Sequence, residues 1–388
     1  MEKSKLEYKY CCGCGLCSKY VKGSTNNKGY YRPDKVLLSE KFDTSVCYCN
    51  QVEQSSKNGM WGPLSGVYYG FAREEEDRKN ASSGGMLTAI ACNLLETGKV
   101  DQIVQIAAAA DDQMKAVVKW NTTPQEVKRC CGSRYTASAS LEGLIENIDV
   151  NRKYAVVGKP CDIRVLRTYI EKNKELNKTI VFLLSFFCGG TPSIQANDNL
   201  LAHMGLKRNE VRTFTYRGNG WPGKTTGTDK NGNIAMMEYE ESWGKILGRD
   251  LQDICRFCWE GVGEAADISC GDGWYIENGQ PLFEERDGRN VVLARTDKGN
   301  ALLLDMQKEN SIQLEIISDL KVLDKMQPGQ HMRKSAMFSR ILAMKICRKK
   351  VPGYSLGTLL PYAKSIPFGL NIRIFAGTIL RVMKGKIQ

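Results

Sequence analysis

Three cysteines at one spacing, Cys11, Cys14 and Cys17, stand in the run Cys-Cys-Gly-Cys-Gly-Leu-Cys near the start of the chain. A C-x-x-C-x-x-C run wraps backbone around an iron–sulfur cube as ferredoxins do, because two-residue gaps let consecutive thiolates reach different irons. Gly13 and Gly15 allow backbone torsions that other residues resist. Zinc sites are usually built from C-x-x-C pairs, so the triple points to iron. The fourth ferredoxin cysteine is missing: Val21 holds its place and no proline follows. Cys47 and Cys49, in Val-Cys-Tyr-Cys-Asn, are the nearest candidates for that ligand.

A second set is dispersed. Cys161 follows the apolar run Tyr154–Val157, Cys188 follows Thr179–Phe186, and Cys255 and Cys258 form a C-x-x-C pair. One buried cysteine is ordinarily a small hydrophobe. Two at equivalent strand ends, with a pair nearby, make a four-thiolate metal site of Cys161, Cys188, Cys255 and Cys258. The others read as packing: Cys92 in an apolar helix, Cys12 off the cluster spacing, Cys347 in a basic helix, and Cys130, Cys131 and Cys270. Ser82-Ser83-Gly84-Gly85 precedes a helix. Small residues there expose backbone N–H groups to a phosphate, although they also cap ordinary helices. The chain's only histidines, His203 and His331, read as structural, which disfavours histidine-based hydrolysis.

These residues need elements to position them. Strand-like Gly66–Ala72, Gln102–Ala110, Tyr154–Val157 and Thr179–Phe186 alternate with helix-like runs at 82–97, from Thr123-Pro124 and from Cys161. The alternation predicts an α/β fold: a mixed sheet core with flanking helices, plus a small N-terminal ferredoxin-like iron–sulfur unit. Ligands in such sheets bind beyond the carboxyl ends of strands. The predicted division is an iron–sulfur unit over 1–60, held by metal rather than a hydrophobic core; the first part of an α/β region over 61–150; a catalytic core over 151–325; and a basic helical tail over 326–388.

Fifteen cysteines without a secretion signal predict a reducing, cytoplasmic setting. No stretch approaches the length of a spanning helix. The net charge is +12, and after Lys345 the charged residues are almost all basic, interleaved with apolar ones. That tail suits either peripheral contact with an anionic membrane or an ordinary packed helix with a solvated basic face. No motif points to nucleic acid.

The ordered motifs Cys11-x-x-Cys14-Gly-Leu-Cys17, Ser82-Ser83-Gly84-Gly85, Gly132-Ser133-Arg134-Tyr135, Gly158-Lys-Pro-Cys161, Phe187-Cys188, Cys255-x-x-Cys258 and Ala266-Asp267-Ile-Ser-Cys-Gly-Asp272 resemble the beta-subunit family of coenzyme F-420 hydrogenase/dehydrogenase. That family also takes in hydroxymethyl-chlorophyll reductase and proteins of bacterial polysaccharide clusters. The resemblance implies two 4Fe-4S clusters and FAD on the α/β core. It implies cofactor contacts from Ser82, Ser83, Gly84, Gly85, Ser133, Arg134 and Tyr135, and favours Cys47 as fourth outer ligand, with Tyr48 where the family has proline leaving Cys49 open. Asp267 and Asp272 are candidates for a cofactor hydroxyl, or are turn residues. The function implied is a reductase or dehydrogenase that passes electrons from a ferredoxin-like donor, or from hydrogenase or dehydrogenase subunits, through the clusters to FAD and on to a small organic substrate or coenzyme F-420. Two alternatives stand beside it: a zinc-binding scaffold of a surface-polysaccharide system, and an electron-transfer subunit whose substrate site lies on a partner.

Overall fold

Alternating apolar runs close into one eight-stranded mixed sheet in the chain's computed structural model, which describes residues 8–50 and 59–385. Its strands are β1 (Gly66–Ala72), β2 (Gln102–Ala108), β3 (Ala116–Asn121), β4 (Tyr154–Gly158), β5 (Ile180–Phe186), β6 (Ile268–Asp272), β7 (Asn290–Ala294) and β8 (Ile312–Ile316). The order is β8-β1-β7-β6-β5-β4-β2-β3. The four strands β2, β4, β5 and β6 run parallel, and the remaining pairings are antiparallel. Strands β4 and β7 are buried at every residue, as strands covered on both faces must be.

The longer helices are α1 (Met86–Glu96), α2 (Pro160–Glu171), α3 (Ile194–His203), α4 (Asp297–Lys308), α5 (Pro328–Ser335), α6 (Met337–Ile346), α7 (Leu356–Ala363) and α8 (Phe368–Met383). In α1, Met86, Ile90 and Leu94 recur every fourth residue and are buried. Proline begins α2, where its missing N–H costs no helical bond. The strand pleat sends Ile103, Ala155 and Val157 to the face covered by α1 and α4, and Val104 and Val156 to the other. A second, three-stranded antiparallel sheet (Val211–Thr215, Thr225–Asp229, Ile234–Met237) shares a smaller core with α3.

Residues 8–50 are not held by thiols alone. Tyr10, Leu16, Val21, Leu38, Val46 and Tyr48 are buried in the cluster that contains Ile163 and Leu166 of α2 and Met337 and Ile341 of α6. The expectation of a unit without a hydrophobic core is corrected here: its apolar residues are too widely spaced to form a core among themselves, yet they complete one supplied by later segments. The sheet crosses the expected boundary at 150, since β1, from the first part, lies between β7 and β8. Residues 328–383 hold α5 to α8.

Candidate functional site

The carboxyl ends of the parallel strands open onto a cavity of about 630 Å³. Lys159 follows β4, Phe187 and Cys188 follow β5, and Gly271 and Asp272 end β6; all line it. The location is the one a parallel sheet dictates for a ligand. Ser82, Ser83 and Gly85 lie in the wall beside the first turn of α1, Met86 to Thr88. Ser82 Oγ accepts a 2.7 Å hydrogen bond from the Ser133 N–H, so the two predicted segments are brought together. Ser133, Arg134 and Tyr135 all line the cavity.

Gly84 does not line it. A Cβ there would stand 2.8 Å from Arg289 Cα, Asn290 N and Gly70 O. This position is glycine because α1 enters between two strands and leaves no room for a side chain. Gly85 is left-handed, with φ 76°, and turns the chain into α1. Only glycine takes that region without strain. Asp267 is also elsewhere. It precedes β6, at the end opposite the cavity, and is wholly buried. Its carboxylate accepts from Leu183 N at 2.8 Å and Thr296 Oγ1 at 3.0 Å and pairs with Arg167 and Lys298. Its place in the motif reflects strand registration and ion pairing, not contact with the cavity.

Asp272 does reach the cavity and makes a two-pronged pair with Arg217, at 2.9 and 3.0 Å, which composition and spacing had not singled out. Burial works against the Arg217 charge, but Asp272, with Tyr135 and Tyr239, pushes its pKa well above the ordinary value. Cys130, Cys131 and Cys270, read as packing, all face the cavity. The only sequence signal was their nearness to Gly132 and Gly271.

The cavity is equipped for a large, partly anionic ligand. Arg134 Nε and Gln330 Oε1 are buried without hydrogen-bond partners, leaving one donor and one acceptor unsatisfied. Phe187, Trp243 and Trp274 supply ring faces, and the N-terminus of α1 supplies a positive dipole end. These features fit a flavin dinucleotide: rings for its ring system, donors for its phosphates.

Cys188 joins this cavity to the thiols behind it. Burial pushes the Cys255 thiol up to about 12, and Cys188 and Cys258 add to the rise. Arg333 of α5 faces all three and donates to Gly189 O. Thr191 N–H points at Cys255 Sγ, 3.4 Å away. Cys161 meets other partners. Cys12, Cys161 and Asp162 each present a ligand atom, all within 4.8 Å of one another. Hydrogen bonds with Cys14 and Cys161 hold the Cys12 thiol well below its ordinary pKa. The structure therefore gathers Cys188, Cys255 and Cys258, and turns Cys161 toward the N-terminal set. Cys12, set aside for its spacing, lies at the centre of that contact; adjacency to a spaced cysteine was the only available hint.

The N-terminal set surrounds a narrow cavity of about 20 Å³ lined by Cys11, Cys12, Cys14, Cys17, Cys47 and Cys49. Burial pushes Cys47 upward, and Cys11, Cys49, Cys12 and Cys17 reinforce it. Six converging thiols suit a thiolate-bound cluster. Tyr48 belongs to both regions: it lines this cavity, and its hydroxyl lies 3.2 Å from Cys258 Sγ. It is 1% exposed and stacks on Trp259 with centroids 6.1 Å apart.

Two family models match the chain: the N-terminal part of the coenzyme F420 hydrogenase/dehydrogenase beta subunit over residues 67–145, and the C-terminal part over 151–319. A coenzyme F420 hydrogenase subunit beta of Methanococcus voltae is 27% identical over 258 residues, 64% of this chain and 84% of that protein. A chloroplastic 7-hydroxymethyl chlorophyll a reductase of Oryza sativa subsp. japonica is 27% identical over 301 residues, 76% of this chain and 60% of that protein. In fold, the chain is similar to one from the F420-reducing [NiFe] hydrogenase complex of Methanosarcina barkeri, with TM-score 0.58 and 20% identity, over 77% of this chain and 99% of that one.

Proposed function

The chain belongs to the coenzyme F420 hydrogenase/dehydrogenase beta-subunit family, and on that premise we propose that it is an iron–sulfur flavoprotein oxidoreductase of the cytoplasm. It takes electrons from a ferredoxin-like donor or from hydrogenase or dehydrogenase partner subunits and delivers them to a small organic substrate or to coenzyme F420. The observation that carries this reading is the single wall shared by two kinds of site: Cys188 stands in the large strand-end cavity and faces Cys255 and Cys258.

Cys11, Cys14, Cys17 and Cys47 would hold the outer cluster, and Cys188, Cys255 and Cys258 three corners of the inner one, while Cys161, its expected fourth ligand, faces Cys12 instead. Ser82, Ser83, Gly85, Ser133, Arg134 and Tyr135 would hold FAD. When bound, clusters store single electrons and a flavin exchanges them for two-electron, hydride-type chemistry. The chain's own residues do the rest. The Tyr48 hydroxyl lies 3.2 Å from Cys258 Sγ and would donate to that sulfur as a thiolate. The Arg217–Asp272 pair is 3% and 20% exposed at its side chains and keeps a fixed charge in the cavity wall. Phe187, Trp243 and Trp274 exclude water from that wall.

Protein purified without oxygen should be brown-yellow, with iron and FAD bound, and Arg134→Ala should keep its iron and lose most of its FAD. A colourless protein with stoichiometric zinc would establish the scaffold reading instead. Substrate reduction only in the presence of partner subunits would place the substrate site on a partner.

A further inference from the structure

Every charged side chain after Asp324 is a cation. This segment lies beyond the residues matched by the family models, 67–145 and 151–319. It ends in α8, which is fixed along one edge only. Asn371 accepts from Ser339 Oγ of α6 at 2.9 Å and donates to Ala363 O of α7 at 2.8 Å, and Thr378 is buried.

The opposite edge of α8 carries large apolar side chains in water. Phe368 is 79% exposed, Ile372 51%, Leu380 54% and Met383 76%. They recur at helical spacing, with exposed Ala376 between them, and form one stripe. Arg373 and Lys384 are exposed along its margin, and Arg381 is exposed farther round the helix. Helix α8 has 16 residues. At the helical rise that length falls short of the ~30 Å hydrocarbon core. No helix among the described residues is long and apolar enough to cross a membrane.

We propose that α8 lies flat on an anionic lipid bilayer, with Phe368, Ile372, Leu380 and Met383 in the headgroup–acyl boundary and Arg373 and Lys384 on lipid phosphates. Apolar stripe and cationic margin share one side of the helix, the arrangement an interfacial helix requires. The charge is of a single sign over the whole tail. A lipid surface needs no more than that, whereas a protein partner would be oriented by charges of both signs. The role is independent of the electron chemistry: it tethers the oxidoreductase to a surface without inserting it.

The test is sedimentation of the full-length protein with vesicles. At low salt, wild type should pellet with vesicles of phosphatidylglycerol and phosphatidylcholine, and about tenfold less with phosphatidylcholine alone. Added salt should release it. Ile372→Glu with Leu380→Glu should lower binding about tenfold or more, with near-ultraviolet circular dichroism and iron content unchanged, since both side chains point into water. Arg373→Gln with Arg381→Gln and Lys384→Gln should weaken the salt dependence while leaving the fold intact. Wild type that stays in the supernatant with anionic vesicles, equal binding to neutral ones, or full binding by the glutamate variant would overturn the proposal. An acidic protein face would then be the better occupant of the stripe.

Discussion

The narrow thiol cavity near the N-terminus, lined by Tyr48, and the large cavity at the strand ends, lined by Cys188, are separated by Cys255 and Cys258, and different forces shape them. The first is made of turns: Leu16–Lys19, Thr44–Val46 and Tyr48–Asn50 are single 3-10 turns, and its apolar walls come from Leu16, Leu38, Phe42 and Val165. One buried ion pair reaches its edge: Asp162, paired with Lys159, lies within 4.8 Å of Cys12 Sγ. The second carries the Arg217–Asp272 pair in its wall and buried ion pairs in the body behind it. Arg164 pairs with Glu260 at 2.5 Å, Lys334 with Glu264 at 2.5 Å, and Lys159 with Asp162 at 2.7 Å. A site whose walls are fixed by strands and ion pairs keeps its shape without its ligand. A ring of buried thiols on turns gains its definition from what it binds, because a bound metal takes the proton's place on each sulfur it ligates.

Four perturbations test that contrast. The largest effect belongs to the turn-built site. Cys17→Ser should lose about four irons per chain, measured by iron assay, and leave FAD occupancy in place. Unchanged iron would remove the outer cluster from the account. Next comes the charge bracing. Lys334→Met removes the 2.5 Å partner of buried Glu264 and leaves it only Arg164, 3.9 Å away and shared with Glu260. That should cost about 3–5 kcal/mol in denaturant unfolding. A loss below about 1 kcal/mol would show that the cavity is not held by this pair. A smaller cost is expected at Gly84→Ala. Its Cβ would meet backbone atoms at 2.8 Å. Displacing them should cost about 1–3 kcal/mol. Because Gly84 is behind the wall, the folded fraction should still take up FAD, and flavin loss with unchanged stability would put the glycine back in the site. The smallest effect tests the junction. Tyr48→Phe removes one hydroxyl from Cys258. The loss is worth about 1 kcal/mol, or about 40 mV in a one-electron potential. Iron content should stay constant while the inner potential falls, and an unmoved potential would mean that the hydroxyl does not act on that sulfur.

The same contrast explains what could be read from the residues alone. Local patterns held: Gly66–Ala72 is a strand at the expected bounds, and Thr123 caps a helix with Pro124 inside it and Glu126 closing a capping box. Cys11, Cys14, Cys17 and Cys47 meet because their spacing is local. Cys188 was readable because strand ends recur in α/β order, and Cys255 and Cys258 because a C-x-x-C pair marks itself; Cys161, also at a strand end, turns to Cys12 instead. Asp267 was misplaced because a motif gives order along the chain but not which end of a strand a residue occupies. Arg217, Gln330 and Cys12 were missed for a related reason: each gains its role from contacts across the fold, to Asp272, Cys188 and Cys161. The antiparallel strands β7 and β8 lie far in sequence from β1, which they flank, so no local period announces that pairing.

The distances along the chain also set a chronology. Tyr10 donates to Lys350 O at 2.7 Å, Gly353 N–H reaches Cys49 O at 3.0 Å, and Gln330 and Arg333 finish the wall of the large cavity. At about 5–20 residues per second, the first thiols leave the ribosome long before those late partners are made. Neither site can be completed until those late segments have been made. Until then the first thiols stay uncovered and open to oxidation.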